Sequence, residues 1–380
     1  MVSEKDFYEI QWMQDYLKTL DPINAKILVG LGKHDPRNIS LIAKSANLPT
    51  STVAFRFKKL VKEHNLEIFA HLDWNKLGLA RAFLMANALP GRWKISWKAL
   101  ENFDYLTYLA RCSGRIQGCL ATFAIPVEHK LRLKDYLDEV VRLQIFSHYL
   151  LFWITNPCEA RPNFDWFDFK KKKWIFKWKQ WVQEILNASE NLSARLTSPK
   201  SYTIMVDKKD LIMLRELELD GTVSFKKLAK VVGIEPSSVA YRYWKRIVER
   251  ELVIGHRIGI MPYPFELSDS CTFVIEFEDE KALAKFTNCL HDKPFIINYS
   301  KVIGQPSVIA NTCTPKFEFL NLIESLDTLA ELGLIKDFFN VTLDFTQYKD
   351  NPLPCELFKD GAWSYNQKEN LERLKTIIKP

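Results

Sequence analysis

Seven residues recur almost unchanged in this chain: Ser51-Thr52-Val53-Ala54-Phe55-Arg56-Phe57 and Ser237-Ser238-Val239-Ala240-Tyr241-Arg242-Tyr243. Val53 and Val239 lie 186 positions apart, and the register holds without a gap from Leu48 and Ile234 to Ile68 and Ile254. A register kept over that length points to a tandem duplication. Each half must then carry a small, hydroxyl-rich, basic helix on a compact module, followed by something about twice its size.

Around the first copy the pattern predicts three helices. Asp21-Pro22 starts a helix with Ile27, Leu28 and Leu31 at helical spacing, and Gly32 to Arg37 end it. Ser40 to Ala46 form a second, and Asn47-Leu48-Pro49 turn into the third, a helix-turn-helix. In the third helix Val53, Phe57, Leu60 and Val61 make a buried stripe and leave Ser51, Thr52, Phe55, Arg56, Lys59 and Lys62 facing outward. The second copy repeats this, with Val239, Tyr243 and Ile247 buried and Ser237, Ser238, Tyr241, Arg242, Lys245 and Arg246 offered outward.

Leu66 to Leu72 and Leu252 to Ile258 read as the β-wing and exit strand of a winged helix. Beyond them each half runs strand, helix, strand, strand, helix, strand, which makes a four-stranded antiparallel sheet with both helices on one face. The predicted class is α+β: two repeats of a winged helix-turn-helix plus a ferredoxin-like βαββαβ domain. The expected division is 1–75 for an N-terminal segment and first winged helix, 76–160 for the first ferredoxin-like domain, and 161–200 for a Trp/Lys-rich helix and linker. The second winged helix takes 201–262, the second ferredoxin-like domain 263–350 and a C-terminal tail 351–380. With its own helical module and sheet, each half is expected to fold alone.

The segment Leu48 to Leu60 and the junction Leu66-Glu67-Ile68-Phe69-Ala70-His71-Leu72-Asp73-Trp74-Asn75-Lys76-Leu77-Gly78-Leu79 resemble the Lrp/AsnC (feast/famine) transcription regulators. The second copy keeps Val253 to Ile260 but replaces the Leu-Gly with Met261-Pro262-Tyr263-Pro264. The resemblance implies sequence-specific binding of double-stranded DNA by the third helix of each module, with hydroxyls and lysines on phosphates and Arg56 and Arg242 on base edges. Thr50 becomes Pro236, Lys58 becomes Trp244 and Leu60 becomes Arg246, so a pseudo-dimer of the two modules meets a non-palindromic site. The family's effector turn corresponds to Gly114 and Arg115 in one half and Gly304 and Gln305 in the other, though neither turn has the acidic residue common in the family. A homodimer through the ferredoxin-like sheets and recruitment of the transcription machinery are the further partners this reading allows.

A net charge of +7 suits a polyanionic partner without requiring one. Seven cysteines without a C-x-x-C spacing favour a reduced, cytoplasmic chain with no metal site. Met1 to Ile10 lack an apolar signal core, and no stretch is apolar enough to span a membrane. The seven histidines are scattered, so no catalytic set and no cofactor are expected and the chain reads as not an enzyme. The alternative is a siroheme-decarboxylase-like enzyme of haem biosynthesis, since such enzymes share the winged-helix plus ferredoxin-like plan. The Trp174, Trp178, Trp181, Val182 and Ile185 stripe, flanked by Lys177 and Lys179, is expected to pack on the sheet of its own half, and Asn187 to Ser201 to be a polar linker.

Overall fold

A computed structural model of the chain describes residues 20–63, 66–259, 263 and 267–378. The N-terminal stretch Met1 to Ile10 and most of the Met261 to Pro264 turn lie outside them. The first module is α1 (Pro22–Leu31), α2 (Ile39–Ala46) and α3 (Thr50–Glu63). Asp21 caps α1, its carboxylate accepting from the Ile23 and Asn24 N–H groups at 2.9 and 2.7 Å, and Pro22 at the first helical position has no N–H to leave unpaired. Val53 and Leu60 of α3 are buried against Ile27, Leu28 and Ile42, as the apolar stripe requires.

β1 (Glu67–Leu72) follows. The first sheet is built from β2 (Leu79–Ala88), α4 (Trp93–Glu101), β3 (Leu106–Gly114), β4 (Gly118–Pro126), α5 (Lys130–Arg142) and β5 (Phe146–Ile154). Short strands β6 (Cys158–Glu159), β7 (Phe167–Asp168) and β8 (Lys173–Trp174) lead to α6 (Trp178–Leu186). The second helical module is α7 (Lys208–Leu219), α8 (Phe225–Val232) and α9 (Pro236–Arg242), the last continuing into a π-helical turn over Tyr243–Val248. After it come β9 (Val253–Gly259), β10 (Ser268–Phe277), α10 (Glu280–Asn288), β11 (Ile296–Lys301), β12 (Ser307–Pro315), α11 (Phe319–Glu331) and β13 (Ile335–Asp350). A hairpin of β14 (Phe358–Lys359) and β15 (Ala362–Trp363) precedes α12 (Gln367–Ile378).

Among the described residues the expected wing and exit strand are not paired within either module. Each run after a third helix is one strand, and β1 and β9 pair with each other, antiparallel, from Glu67 opposite Gly259 to Leu72 opposite Val253. The larger strands form one nine-stranded sheet in the order β5-β2-β4-β3-β13-β10-β12-β11-β6. β13 joins its two parts: residues 335–342 pair with β10 and residues 341–350 with β3 across a register break between Leu343 and Tyr348. Strand alternation divides the side chains. Phe83, Met85 and Leu120 meet Val274, Ile309 and Val341 between the two parts, while Ala82, Leu84, Ala121 and Phe123 face the helices.

The Trp-rich stripe is split: Trp174 lies in β8, not in the helix, and packs with Phe167 against the first helical module, whereas Trp178 and Trp181 do not pack on their own half. Ile154, at the end of β5, bridges Val302 beside β11, and β6 pairs with β11, so the chain leaves the first part already alongside the second. Trp181 lies 5.0 Å from the ring of Phe295 and 5.7 Å from that of Phe286, and donates its indole N–H to the Cys289 carbonyl at 3.1 Å. Trp178 donates to Glu318 at 2.7 Å. The exchange is reciprocal, because the end of β13 pairs with β3 and delivers the tail onto the first half. There Trp363 donates to the Leu77 carbonyl at 2.6 Å, Tyr365 stacks on Tyr105 at 6.0 Å and Arg373 pairs with Asp104. The expected linker is also held: Leu196 is buried, and Asn288 donates to the Ser189 and Asn191 carbonyls at 3.0 Å each.

Independent folding of the halves is therefore not what the packing supports, since each core is completed by the other half's tail. Residues 1–190 and 200–380 expressed apart should each fail to melt cooperatively, and expressed together should purify as one complex. A sharp calorimetric transition from either fragment alone would show that the exchange is not required.

Candidate functional site

The outward faces of the two third helices differ from their sequence reading at the arginines. Arg56 turns back to Asp21, the cap of α1, at 2.5 Å, and also donates to Asn24 at 3.1 Å. Arg242 makes the corresponding contact to Asp207, the cap of α7, at 2.8 Å, and reaches Asp210 at 2.6 Å; Arg246 joins it on Asp210 at 2.6 Å. Burial pulls the Asp207 carboxyl up, but the Asp210 N–H and the two guanidiniums outweigh it and leave it below the usual range. These arginines pin the third helix to the first.

What stays exposed is hydroxyl, aromatic and lysine. Ser51, Phe55, Lys58, Lys59 and Lys62 face outward on α3, with Thr52 half-buried and Lys59 3.6 Å from Glu63. In the second module Ser237, Ser238, Tyr241, Trp244 and Lys245 do, with Lys245 paired to Glu249 at 2.7 Å. Phe55 is 70% and Tyr241 66% exposed, values unusual for aromatic side chains without a partner surface. The modules are locked together by Arg37, which donates to the Gly221 and Val223 carbonyls at 2.7 and 2.8 Å and stacks on Tyr243 at 4.7 Å. Tyr243 in turn donates to Asp35.

The effector turns are placed differently from each other. Gly114, at φ +121°, lies inside the β3–β13 pairing, with a Cβ there 3.3 Å from the Asn340 carbonyl, and Arg115 stacks on Phe339 at 4.5 Å. Gly304, at φ +82°, and Gln305 sit in an open turn.

The sequence reading missed a cavity of about 1030 Å³ between the two parts of the large sheet and the β1–β9 ribbon. Arg81, Thr107 and Thr122 stand on one wall, and Ser270, Asn298 and Asn311 on the other. Phe69 and Arg257 of the ribbon and Glu218 of α7 line it from the helical side. A bulge in β3, where Leu106 pairs with Phe123 but Tyr108 with Thr122, brings Thr107 to within 2.9 Å of Arg81, which also donates to Thr122 at 3.2 Å. Burial lowers the Arg81 pKa to about 10, so it stays charged, and raises that of Glu218 to about 7 against the Leu353 N–H and the charge of Arg81. Burial likewise raises Asp350, with Arg257 opposing. One signal for this site was available: a lone arginine at an inward position of the otherwise apolar Leu79 to Met85 run. Among the described residues there is no cluster suited to a metal, and no helix is long and apolar enough to cross a membrane.

Residues 206–245 match the AsnC-type helix-turn-helix domain. No curated protein sequence matches the chain. Among solved structures, siroheme decarboxylase NirDL aligns with a TM-score of 0.54 and 11% identity, covering 94% of this chain and 98% of that one. A transcriptional regulator from Neisseria meningitidis in complex with L-Met aligns over 37% of this chain and 91% of its own, with 18% identity and a TM-score of 0.31. AsnC of E. coli aligns over 35% and 91%, with 15% identity and a TM-score of 0.27. The first of these likenesses is one of fold. It corrects the expectation that the chain is not an enzyme, because an enzyme has this fold over nearly its whole length.

Two outcomes follow from the charges. Asp210 is fully buried, so removing both of its guanidiniums in Arg242→Met/Arg246→Met should destabilise the protein by about 3–5 kcal/mol in urea unfolding. Arg56→Met, facing a partly exposed Asp21, should lose no more than about 1 kcal/mol. Glu218 binds its proton more tightly folded than unfolded, so its contribution falls as pH rises from its ordinary 4.5 to about 7. Glu218→Gln should therefore gain on the parent across that window, by on the order of 2 kcal/mol, in melts recorded at pH 4.5 and 8. Parallel pH profiles would place the Glu218 carboxyl in water.

Proposed function

We propose that the chain is a DNA-binding regulator that presents two third helices from one rigid body to an asymmetric duplex site, and that it arose by fusion of two copies of one module pair. The match of residues 206–245 to the AsnC-type helix-turn-helix domain carries this reading. The exposed faces support it. Ser51, Ser237 and Ser238 sit in the first turn of their helices, where hydroxyls and free backbone N–H groups suit phosphate oxygens. Lys58, Lys59 and Lys62 add charge on α3, and Phe55 and Tyr241 are placed for apolar contact with a thymine methyl. In this reading Arg56, Arg242 and Arg246 set the angle of the reading helix, and read no base themselves. The Arg37 plug leaves the two helices no independent search.

A second reading is an enzyme acting on a tetrapyrrole. The central cavity favours it, being large enough for such a ligand and lying in a fold shared with a siroheme decarboxylase. Tetrapyrrole absorbance in the purified protein would mark that reading.

Selection from random duplexes should enrich a non-palindromic sequence, bound with an affinity that falls steeply with salt. Replacing Lys58, Lys59 and Lys62 by alanine should reduce the log–log salt slope by about 2–3 in mobility shifts. Without any enriched sequence, the regulator reading fails and the enzyme reading takes its place.

A further inference from the structure

Arg81 is a buried cation without an anion. It is 8% exposed, its two side-chain hydrogen bonds go to the neutral hydroxyls of Thr107 and Thr122, and its Nε has no partner. Among the described residues no carboxylate comes within ion-pair distance of it. A guanidinium carries five N–H donors, and burying its charge unpaired is strongly unfavourable. Trp74, 4.9 Å below, offers only its π face. Across the cavity Arg257 also lacks an ion pair among the described residues and lies over Phe69 at 4.6 Å. Glu218 is the acid whose charge acts on Arg81, and its own burial raises its pKa to about 7 and so disfavours the charged form. The space these groups enclose is closed further in by Phe83, Leu120 and Ile309.

We propose that the cavity binds a ligand with a carboxylate on an apolar body, the carboxylate seated on Arg81 and Thr122 and the body against Phe83 and Ile309, and that its occupation is felt by the second helical module through Glu218 and Arg257. A carboxylate supplies the missing counter-charge and matches the fork geometry of a guanidinium. The same chemistry is carried by a compact aromatic acid and by the side chains of a tetrapyrrole, and the room available admits either. Glu218 belongs to α7, the helix against which Arg242 and Arg246 hold the exposed third helix, and Arg257 belongs to the ribbon that leaves it. Coupling to the outer face needs only these packed contacts. The transmission clause rests on the regulator reading, whereas ligand binding does not.

The test is titration of the full-length protein with 3-phenylpropionate and, separately, with iron uroporphyrin, read by calorimetry, with amide hydrogen exchange of residues 237–248 measured at saturation. The expected result is saturable one-to-one binding of one of the two, at least tenfold weaker in Arg81→Met and partly restored in Arg81→Lys, with exchange in 237–248 altered at least threefold. Preference for phenylpropionate assigns a small-acid effector, and preference for iron uroporphyrin a tetrapyrrole. Thr122→Val, which removes one hydroxyl from the seat and conserves volume, gives the same reading where Arg81→Met does not fold. No saturable binding of either probe at millimolar concentration, or binding indifferent to Arg81→Met and Thr122→Val, overturns the site. Binding with unchanged exchange in 237–248 overturns the coupling alone. Both readouts are made without DNA, so their failure is distinct from a failure to bind DNA.

Discussion

The interaction on which the rest of this structure depends is the reciprocal burial of each half's trailing segment in the other half. Trp178 and Trp181 close the core around Phe286 and Phe295, and Trp363 and Tyr365 close that around Tyr105 and Phe103. Aromatic side chains of this size contribute several kcal/mol each when fully buried, and here they do so across the seam. β13, shared between β10 and β3, makes the same connection through the backbone.

A seam of this kind fixes the helical modules. β1 pairs with β9 across the two halves, and beside this ribbon Arg37 reaches from the first module to Gly221, Val223 and Tyr243 of the second. The cavity is a consequence of the same arrangement: the sheets touch through Phe83, Ile309 and Val341 but diverge beneath the ribbon, where Arg81, Asn311 and Glu218 are the lining. One geometry thus carries a pair of outward-facing helices and an inward-facing charged chamber.

Much of this was legible in the sequence. The 3.6-residue stripe of Val53, Leu60 and Val239, and the alternation through Leu79 to Ala88, place helices and strands close to where they fall. Burial address was not legible. Trp178 and Trp181 announce a packed helix, and Trp174, at the same spacing, falls in β8 instead; nothing in the spacing says which half the helix packs on, because that depends on β5 ending beside Val302. Arg56 and Arg242 stand on the polar side of their helices, and only the fold reveals the capping aspartates 35 residues upstream. The wing expectation failed for a related reason: a single strand looks the same in sequence whether its partner is a neighbour or β9. Arg81 was the one missed residue with a local signal, a charge inside an apolar strand.

The central claim, that the two third helices belong to one rigid body, is tested most directly by the distance between them. Spin labels introduced by genetically encoded amino acids at Lys58 and Lys245, both exposed, report that distance in double electron–electron resonance. The account predicts a single narrow distribution in the free protein, broadened when Arg37 is replaced by alanine. A broad or two-peaked distribution in the unaltered protein would contradict it.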